Sequence, residues 1–129
     1  MRKGSGTGSQ ASTPCKSSGK RVDKASLLAW PKEGELQSFV LKRLRAMPEI
    51  AVVKVIQATE NGVSDILLCA KGRFVALELK SAKGKPTALQ VLFIHKVIRA
   101  GGHANVCKCW PDVARVLADA GYAEYDSML

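Results

Sequence analysis

The apolar residues fall into short blocks along most of the chain, and the spacing within each block predicts a secondary-structure element. In residues 31–48 they recur every three or four positions, as on one face of a helix, until Pro48 ends the pattern. The repeating positions are Leu36, Val40, Leu44 and Met47. Residues 51–59, 65–70 and 73–81 are short blocks rich in β-branched and other apolar residues, separated by turn residues. They predict three strands in an antiparallel meander, because short turns join antiparallel neighbours.

The rest of the chain alternates between helical and strand patterns. An amphipathic stretch runs from Thr87 or Ala88 to Ala100, and the glycine pair that follows ends it. Residues 103–110 predict a fourth strand, and residues 111–121 predict a last helix with proline near its start and glycine at its end. The predicted order is α-β-β-β-α-β-α. The predicted fold class is therefore α/β, with a mixed central sheet flanked by helices.

Residues 1–30 differ in composition from the rest and predict a disordered basic leader, with residues 31–129 as one folded domain. The leader consists mostly of small and polar residues, which cannot offset the entropy lost on ordering. It carries six Lys/Arg and one Asp, a net charge of +5, whereas fourteen Lys/Arg and ten Asp/Glu give the remainder +4. Such a tail either holds a polyanion such as nucleic acid or is a solvated leader. No apolar run reaches the roughly 18 residues that span a bilayer, so we expect a cytoplasmic protein.

Three charged residues carry the chemical prediction. Glu78 and Lys80 lie two positions apart in an otherwise apolar strand, so their side chains leave the same face. Asp65 follows a glycine-containing turn and opens the preceding strand. If residues 71–72 form a hairpin turn, the two carboxylates lie on neighbouring strands about 4.8 Å apart and can share a divalent cation. The alternatives are a solvent-facing ion pair on an edge strand and an aspartate that only serves the turn.

Two more polar residues lie on the apolar sides of the predicted helices. At about 100° per residue, Glu33 projects with the apolar face of the first helix, whereas Glu35 points away. Gln90 falls in the middle of the apolar side of the second helix, which contains Leu89, Val91, Phe93, Ile94, Val97 and Ile98. Burying such groups is costly unless a metal or substrate satisfies them. Alternatively, Glu33 favours the positive helix N-terminus, and Gln90 forms a capping box with Thr87.

Further side chains extend the prediction to substrate contact. Lys54 and the loop lysines Lys83 and Lys85 are candidate DNA-binding residues that contact phosphate, or else solvated loop lysines. Four cysteines are present, and their spacing favours reduced, mostly buried thiols over zinc ligands.

The ordered set of motifs resembles the VRR-NUC branch of the PD-(D/E)XK nucleases, which have a restriction-endonuclease-like core. The supporting stretch is GVSDILLCAKGRFVALELKSAKGKPTALQVLFIHKVIRAGGHANV, preceded by an E-x-x-L-Q pattern at residues 33–37. The resemblance covers roughly residues 31–117. Ser64 departs from the proline usual before the family's aspartate, and the family's characteristic arginines are not recognisable near Val106.

The resemblance implies a catalytic set and a cofactor. Mg²⁺ or Mn²⁺ would be held by Asp65, Glu78 and the backbone carbonyl of Leu79, with Glu33 as an additional direct or water-mediated ligand. Lys80 would position or help to deprotonate the attacking water and stabilise charge on the phosphate, and Gln90 would orient this network.

The implied activity is a structure-selective DNA endonuclease. Stand-alone compact members of the family are phage or bacterial proteins that form homodimers and cut branched DNA such as four-way (Holliday) junctions, so the expected setting is a bacterial host cell or its nucleoid. One alternative is a nuclease that acts on flaps, ends or nicks within a repair or packaging complex. Another is a non-catalytic basic DNA-binding module.

Overall fold

The computed structural model describes residues 29–122, which contain three helices and a four-stranded sheet. In chain order the elements are α1 (Glu33–Arg45), β1 (Ile50–Lys54), β2 (Ile66–Ala70), β3 (Arg73–Leu79), α2 (Ala88–Arg99), β4 (His103–Cys107) and α3 (Trp110–Asp119). This is the predicted order and confirms the predicted fold class. The leader lies outside the described residues except at its end, where the Trp30 ring lies 5.2 Å from that of Phe39.

The sheet has the order β1-β2-β3-β4. β2 runs antiparallel to both β1 and β3, and β4 runs parallel to β3. The meander is therefore confirmed, and the sheet is mixed. The tight β2–β3 turn uses residues 71–72, both at positive φ. β3 is a central strand rather than an edge strand, because it pairs with β2 on one side and β4 on the other.

The first strand is shorter than its apolar pattern predicts. Residues 55–59 lie outside β1, so the prediction of a strand to residue 59 is wrong. The physical reason is the register: Lys54 pairs with Ile66, the first residue of β2, and the segment that would pair with 55–59 turns through Gly62 at φ 91°. The resulting connection of residues 55–65 runs along the end of the sheet where β2 begins.

The two faces of the sheet are covered unequally. On one face, α1 and α3 bury the main core, which contains Leu36, Leu44, Ile66, Leu77, Trp110 and Leu117. On the other face, α2 packs mainly against β3 and β4, with a small cluster of Ala76, Ile94, Val97 and Ala104. Leu89 and Ile98 of α2 are half exposed, so the prediction that they belong to a buried face is wrong. One short helix covers only part of the sheet.

Within residues 29–122, every helix is too short or too polar to traverse a lipid bilayer.

Candidate active site

The two central strands bring Asp65 beside Glu78. Ile66 pairs with Leu77, so Asp65, one residue earlier, lies opposite the next residue of β3. The backbone N–H of Leu79 donates a 2.8 Å hydrogen bond to Oδ2 of Asp65. This bond holds the aspartate against the end of β3 and explains why an acceptor side chain is needed directly before β2.

Glu78 is a fully buried carboxylate. Its exposed fraction is 0%, and neither side-chain oxygen has a hydrogen-bond partner of proper geometry in the described part of the chain. The Lys80 ammonium lies 3.4 Å from Oε2 as an ion pair, and the Lys80 side chain is only 12% exposed. An ionised carboxylate without hydrogen bonds is costly in such a place. Glu78 therefore needs either a proton or a further cation besides the Lys80 ammonium.

The surroundings of Glu78 stabilise its protonated form relative to that of a free carboxyl group. The pKa of Glu78 is raised from 4.5 to about 7, first by burial and then by the neighbouring Asp65 charge. Lys80 opposes this shift by lowering the pKa. A carboxyl group poised near neutrality, between another carboxylate and an ammonium group, is typical of functional sites.

The donor set fits a hard divalent cation. Carboxylate oxygens are the ligands that Mg²⁺ and Mn²⁺ prefer, and the orphaned oxygens of Glu78 provide them next to Asp65. Across residues 29–122, no three or more His, Cys, Asp or Glu side chains converge as a metal-binding group. A cation here would therefore rest on two carboxylates, completed by backbone oxygen and water.

Glu33 lies in the first turn of α1, where it is half buried and Glu35 is exposed. This agrees with the predicted difference between the two glutamates. The Gln37 side-chain amide donates to Oε2 of Glu33 at 3.3 Å. Glu33 does not form a three-carboxylate group with Asp65 and Glu78, so its role as a ligand stays a prediction.

Gln90 forms the capping box that was one of the two sequence-based alternatives. Its Oε1 accepts from the Thr87 backbone N–H at 2.8 Å, while Thr87 Oγ1 accepts from the Gln90 N–H at 3.2 Å. The Gln90 side chain thus accepts a hydrogen bond from a backbone N–H at the start of α2 that has no partner within the helix. A role in orienting the catalytic network is a separate prediction, for which the amide Nε2 is the remaining donor.

The three candidate DNA-contacting lysines are all exposed. Lys54 ends β1 next to the Asp65 segment, where the Val55 N–H donates to the Asp65 carbonyl at 2.8 Å. Lys83 and Lys85 follow Lys80 in the loop before α2. Lys54 thus pairs with the residue after Asp65, and Lys83 and Lys85 lie three and five residues after Lys80.

Sequence reasoning missed several supporting contacts. The Leu79 N–H that binds Asp65 is a backbone group and leaves no sequence signal. Lys108 was not a candidate, yet its Nζ donates to the Ala82 carbonyl at 3.0 Å and fixes the basic loop. Ser64 is fully buried, and its hydroxyl has no hydrogen-bond partner within the described chain. Its burial could not be inferred from its place in a predicted turn.

The cysteines are only partly as predicted. Cys107 is a buried free thiol whose pKa is raised by burial, which makes it a poor nucleophile. Cys69 is free but exposed, and Cys109 is disulfide-bonded rather than reduced.

One comparison with solved structures is informative. The chain superposes on a structure described as a "VRR_NUC domain" with a TM-score of 0.57 and 22% sequence identity, covering 67% of this chain and 94% of that one. The chain has the VRR_NUC fold. At this identity the likeness concerns the VRR_NUC fold alone, and it confirms the predicted restriction-endonuclease-like architecture. No family model and no curated protein sequence matches the chain.

Proposed function

We propose that this protein is a divalent-metal-dependent nuclease that hydrolyses phosphodiester bonds in DNA. The observation that carries the proposal is the buried Glu78 carboxylate, which lies beside Asp65 and 3.4 Å from the Lys80 ammonium. Within residues 29–122, neither of its oxygens accepts a hydrogen bond. A purely structural role for Glu78 would leave the cost of burying its charge offset only by the ion pair with Lys80. The VRR_NUC fold, named for a nuclease domain, agrees with the proposal.

The residues divide the chemistry among them. Asp65, Glu78 and the Leu79 carbonyl would hold Mg²⁺ or Mn²⁺, with Glu33 as a direct or water-mediated ligand. The bound cation supplies a Lewis acid that lowers the pKa of water and neutralises developing charge on the phosphate. Lys80 would orient the attacking water and, as the ammonium held beside Glu78, donate to the phosphate. To help deprotonate the water it would have to act as the neutral amine, after passing its own proton to solvent.

Other groups support this arrangement and the substrate. The Leu79 N–H holds the Asp65 carboxylate at the end of β3. The two carboxylates are therefore already positioned together before substrate binds. The Gln90 amide would help to orient the polar network from the start of α2. Lys54, Lys83 and Lys85 would attract and position the DNA backbone without reading its sequence.

We further propose that the DNA substrate is branched, including four-way junctions, and that the protein acts as a homodimer. Two copies would supply two cutting sites for two strands of a junction. Exposed apolar side chains also support self-association: Val53 and Phe74, 58% and 44% exposed, lie on the sheet face that α2 covers only in part. Sedimentation velocity tests the dimer separately from activity, and a monomer that still cuts DNA would contradict the dimer alone.

Cleavage assays with purified full-length protein test the main proposal. Matched linear, flap and four-way-junction DNA are incubated with Mg²⁺, Mn²⁺ or EDTA. We expect metal-dependent cutting that Asp65→Asn or Glu78→Gln abolishes, while the exposed control Glu35→Gln retains it. Circular dichroism should show that all variants are folded. Undiminished cutting in EDTA, or by both site variants, would overturn the proposed site.

Thermal unfolding gives a readout of the metal that does not depend on turnover. A ligand at ten times its Kd adds about 1.4 kcal/mol to the free energy of unfolding. For a domain of this size the melting temperature should rise by several degrees. We expect this rise with Mg²⁺ or Mn²⁺ for the wild type and for Glu35→Gln, but not for Glu78→Gln.

The same assays separate the proposal from its alternatives. A flap, end or nick nuclease would cut those substrates in preference to a four-way junction, with the same metal requirement. A non-catalytic basic module would bind all the DNAs and cut none of them. The buried Glu78 carboxylate favours the catalytic reading over this last alternative, because a module that only binds DNA does not require it.

A further inference from the structure

An isoleucine projects into solvent close to the candidate active site. Ile56 is 89% exposed, the largest exposed fraction among the large apolar side chains of residues 29–122. It is also the only large apolar residue in the segment IQATEN at 56–61. Placing a side chain of this size in water forgoes the stabilisation that burial would provide. Within residues 29–122, burial of this side chain therefore contributes little to the stability of the domain.

Ile56 lies one residue beyond a backbone pair with Asp65. Its neighbour Val55 donates a 2.8 Å backbone hydrogen bond to the carbonyl of Asp65, which continues the β1–β2 pairing beyond Lys54. Paired strands lie about 4.8 Å apart, so Ile56 lies within a few residue lengths of the Asp65 backbone. Lys54, a candidate phosphate contact, is two residues before it. Ile56 therefore lies at the end of the sheet where Asp65 lies.

The loop that carries Ile56 is anchored at its other end. Gly62 has a φ of 91°, and a Cβ added there would lie only 2.6 Å from the carbonyl oxygen of Leu89 in α2. The glycine thus permits direct backbone packing of the loop against the first turn of α2. With Val55 held to β2 and Gly62 held to α2, both ends of the segment are fixed to the scaffold of the site.

We propose that Ile56 contacts the face of an unpaired nucleobase beside the scissile phosphate and so favours branched or frayed DNA. This inference rests on the proposed nuclease function and concerns the substrate of the same site. In continuous duplex, stacking covers the base faces, whereas an unpaired base presents a flat apolar surface. Apolar side chains, isoleucine among them, are used elsewhere as wedges against unstacked base steps. Lys54 would hold the adjoining phosphate.

Cleavage specificity provides the first test. The kcat/KM ratio is measured for forked DNA over fully paired DNA of the same sequence. The proteins compared are wild type, Ile56→Ser, Ile56→Leu and the control Ile98→Ser, which changes a half-exposed apolar residue at the end of α2. We expect the ratio to fall about tenfold in Ile56→Ser, because roughly 1.4 kcal/mol of apolar contact is lost, and to be retained in Ile56→Leu and Ile98→Ser. An unchanged ratio in Ile56→Ser, or an equal fall in Ile98→Ser, would overturn the inference.

Fluorescence provides a test that needs no cleavage. Forked DNA carries 2-aminopurine at the unpaired position next to the fork and is titrated with each protein in EDTA. We expect the fluorescence change at saturation to be lost in Ile56→Ser and kept in Ile98→Ser. If this holds but no metal restores cutting, the nuclease proposal fails and the contact stands. If the wild type cuts DNA while the fluorescence is the same for all variants, the contact is overturned and the nuclease stands. Absence of DNA binding would overturn both.

Discussion

The backbone N–H of Leu79 and the Asp65 carboxylate are joined by a 2.8 Å hydrogen bond. Leu79 separates Glu78 from Lys80, so this bond ties Asp65 to the segment that carries the other two candidate catalytic groups. The geometry depends on the β2–β3 register and not on flexible side chains alone. Residues that keep this register therefore support the site even when they lie far from it.

The metal-free protein should lose stability as pH rises from about 4.5 to about 7. Glu78 has a pKa of about 7 in the folded protein and an ordinary value of 4.5, so in this window the folded state holds more protons than the unfolded chain. The free energy of unfolding therefore falls with rising pH and levels off above 7. The shift corresponds to about 3 kcal/mol.

Urea unfolding in EDTA at several pH values measures this effect, with Glu78→Gln as the comparison. The variant cannot ionise at this position, so it should have similar stability to the wild type near pH 4. It should become more stable than the wild type by up to about 3 kcal/mol above pH 7. A constant difference between the two proteins across the range would contradict the assigned pKa.

Glu33→Ala should reduce turnover more than Glu35→Ala. Both residues lie in the first turn of α1, so both substitutions remove a favourable interaction with the helix N-terminus, but only Glu33 is partly buried. Groups that support metal ligands typically contribute 10- to 100-fold in activity or metal affinity. Steady-state rates at saturating DNA and metal give the comparison. Equal rates would show that the helix does not contribute the predicted carboxylate.

Gly62→Ala should destabilise the domain more than Gly72→Ala. Both glycines have positive φ, at 91° and 85°, so both substitutions incur the strain of about 1–2 kcal/mol of a left-handed alanine. At Gly72 a Cβ meets nothing within 4 Å, whereas at Gly62 it lies 2.6 Å from the Leu89 carbonyl oxygen. The overpacking should add at least about 1 kcal/mol. Chemical denaturation at pH 7 measures the difference, and equal losses would show that the loop moves away from α2 freely.

Deleting residues 1–24 should weaken DNA binding without lowering turnover at saturating DNA. The leader carries most of the excess positive charge. Residues 1–24 contain almost no large apolar side chain that could pack against the domain. Each phosphate contact contributes roughly 0.9 to the slope of log affinity against log salt, so we expect this slope to flatten by about one to three units. Both proteins are compared in reducing buffer. An unchanged slope would assign the electrostatic contact to the loop of Lys83 and Lys85.

Much of the candidate site could be predicted from the alternation of side chains along the strands and from the positions of the turns. The two-residue spacing of Glu78 and Lys80 predicted a shared face, and the turn at residues 71–72 predicted the pairing that brings Asp65 to Glu78. Both relationships are local and depend on adjacent strands. The burial of Glu78 was harder to predict, because an edge strand with a solvated ion pair has the same sequence pattern.

The helical faces were less predictable because exposure depends on how much of the sheet each helix covers. Periodicity placed Leu89 and Ile98 on a buried side, but α2 covers mainly β3 and β4 and leaves both half exposed. The contacts of Gln90 were likewise not determined by its position on the helix. Its spacing from Thr87 allowed both a cap and an inward role, and the capping box is the contact that forms.

The unsatisfied Glu78 carboxylate has a consequence for protein engineering. A selection for heat tolerance in metal-free conditions should accept neutral replacements at this position, because they remove a buried charge from a central strand. Such replacements would raise the melting temperature while removing the proposed metal ligand. Selection for a thermally stable variant should therefore be carried out with Mg²⁺ or Mn²⁺ present, so that thermal stability and cation binding are selected together.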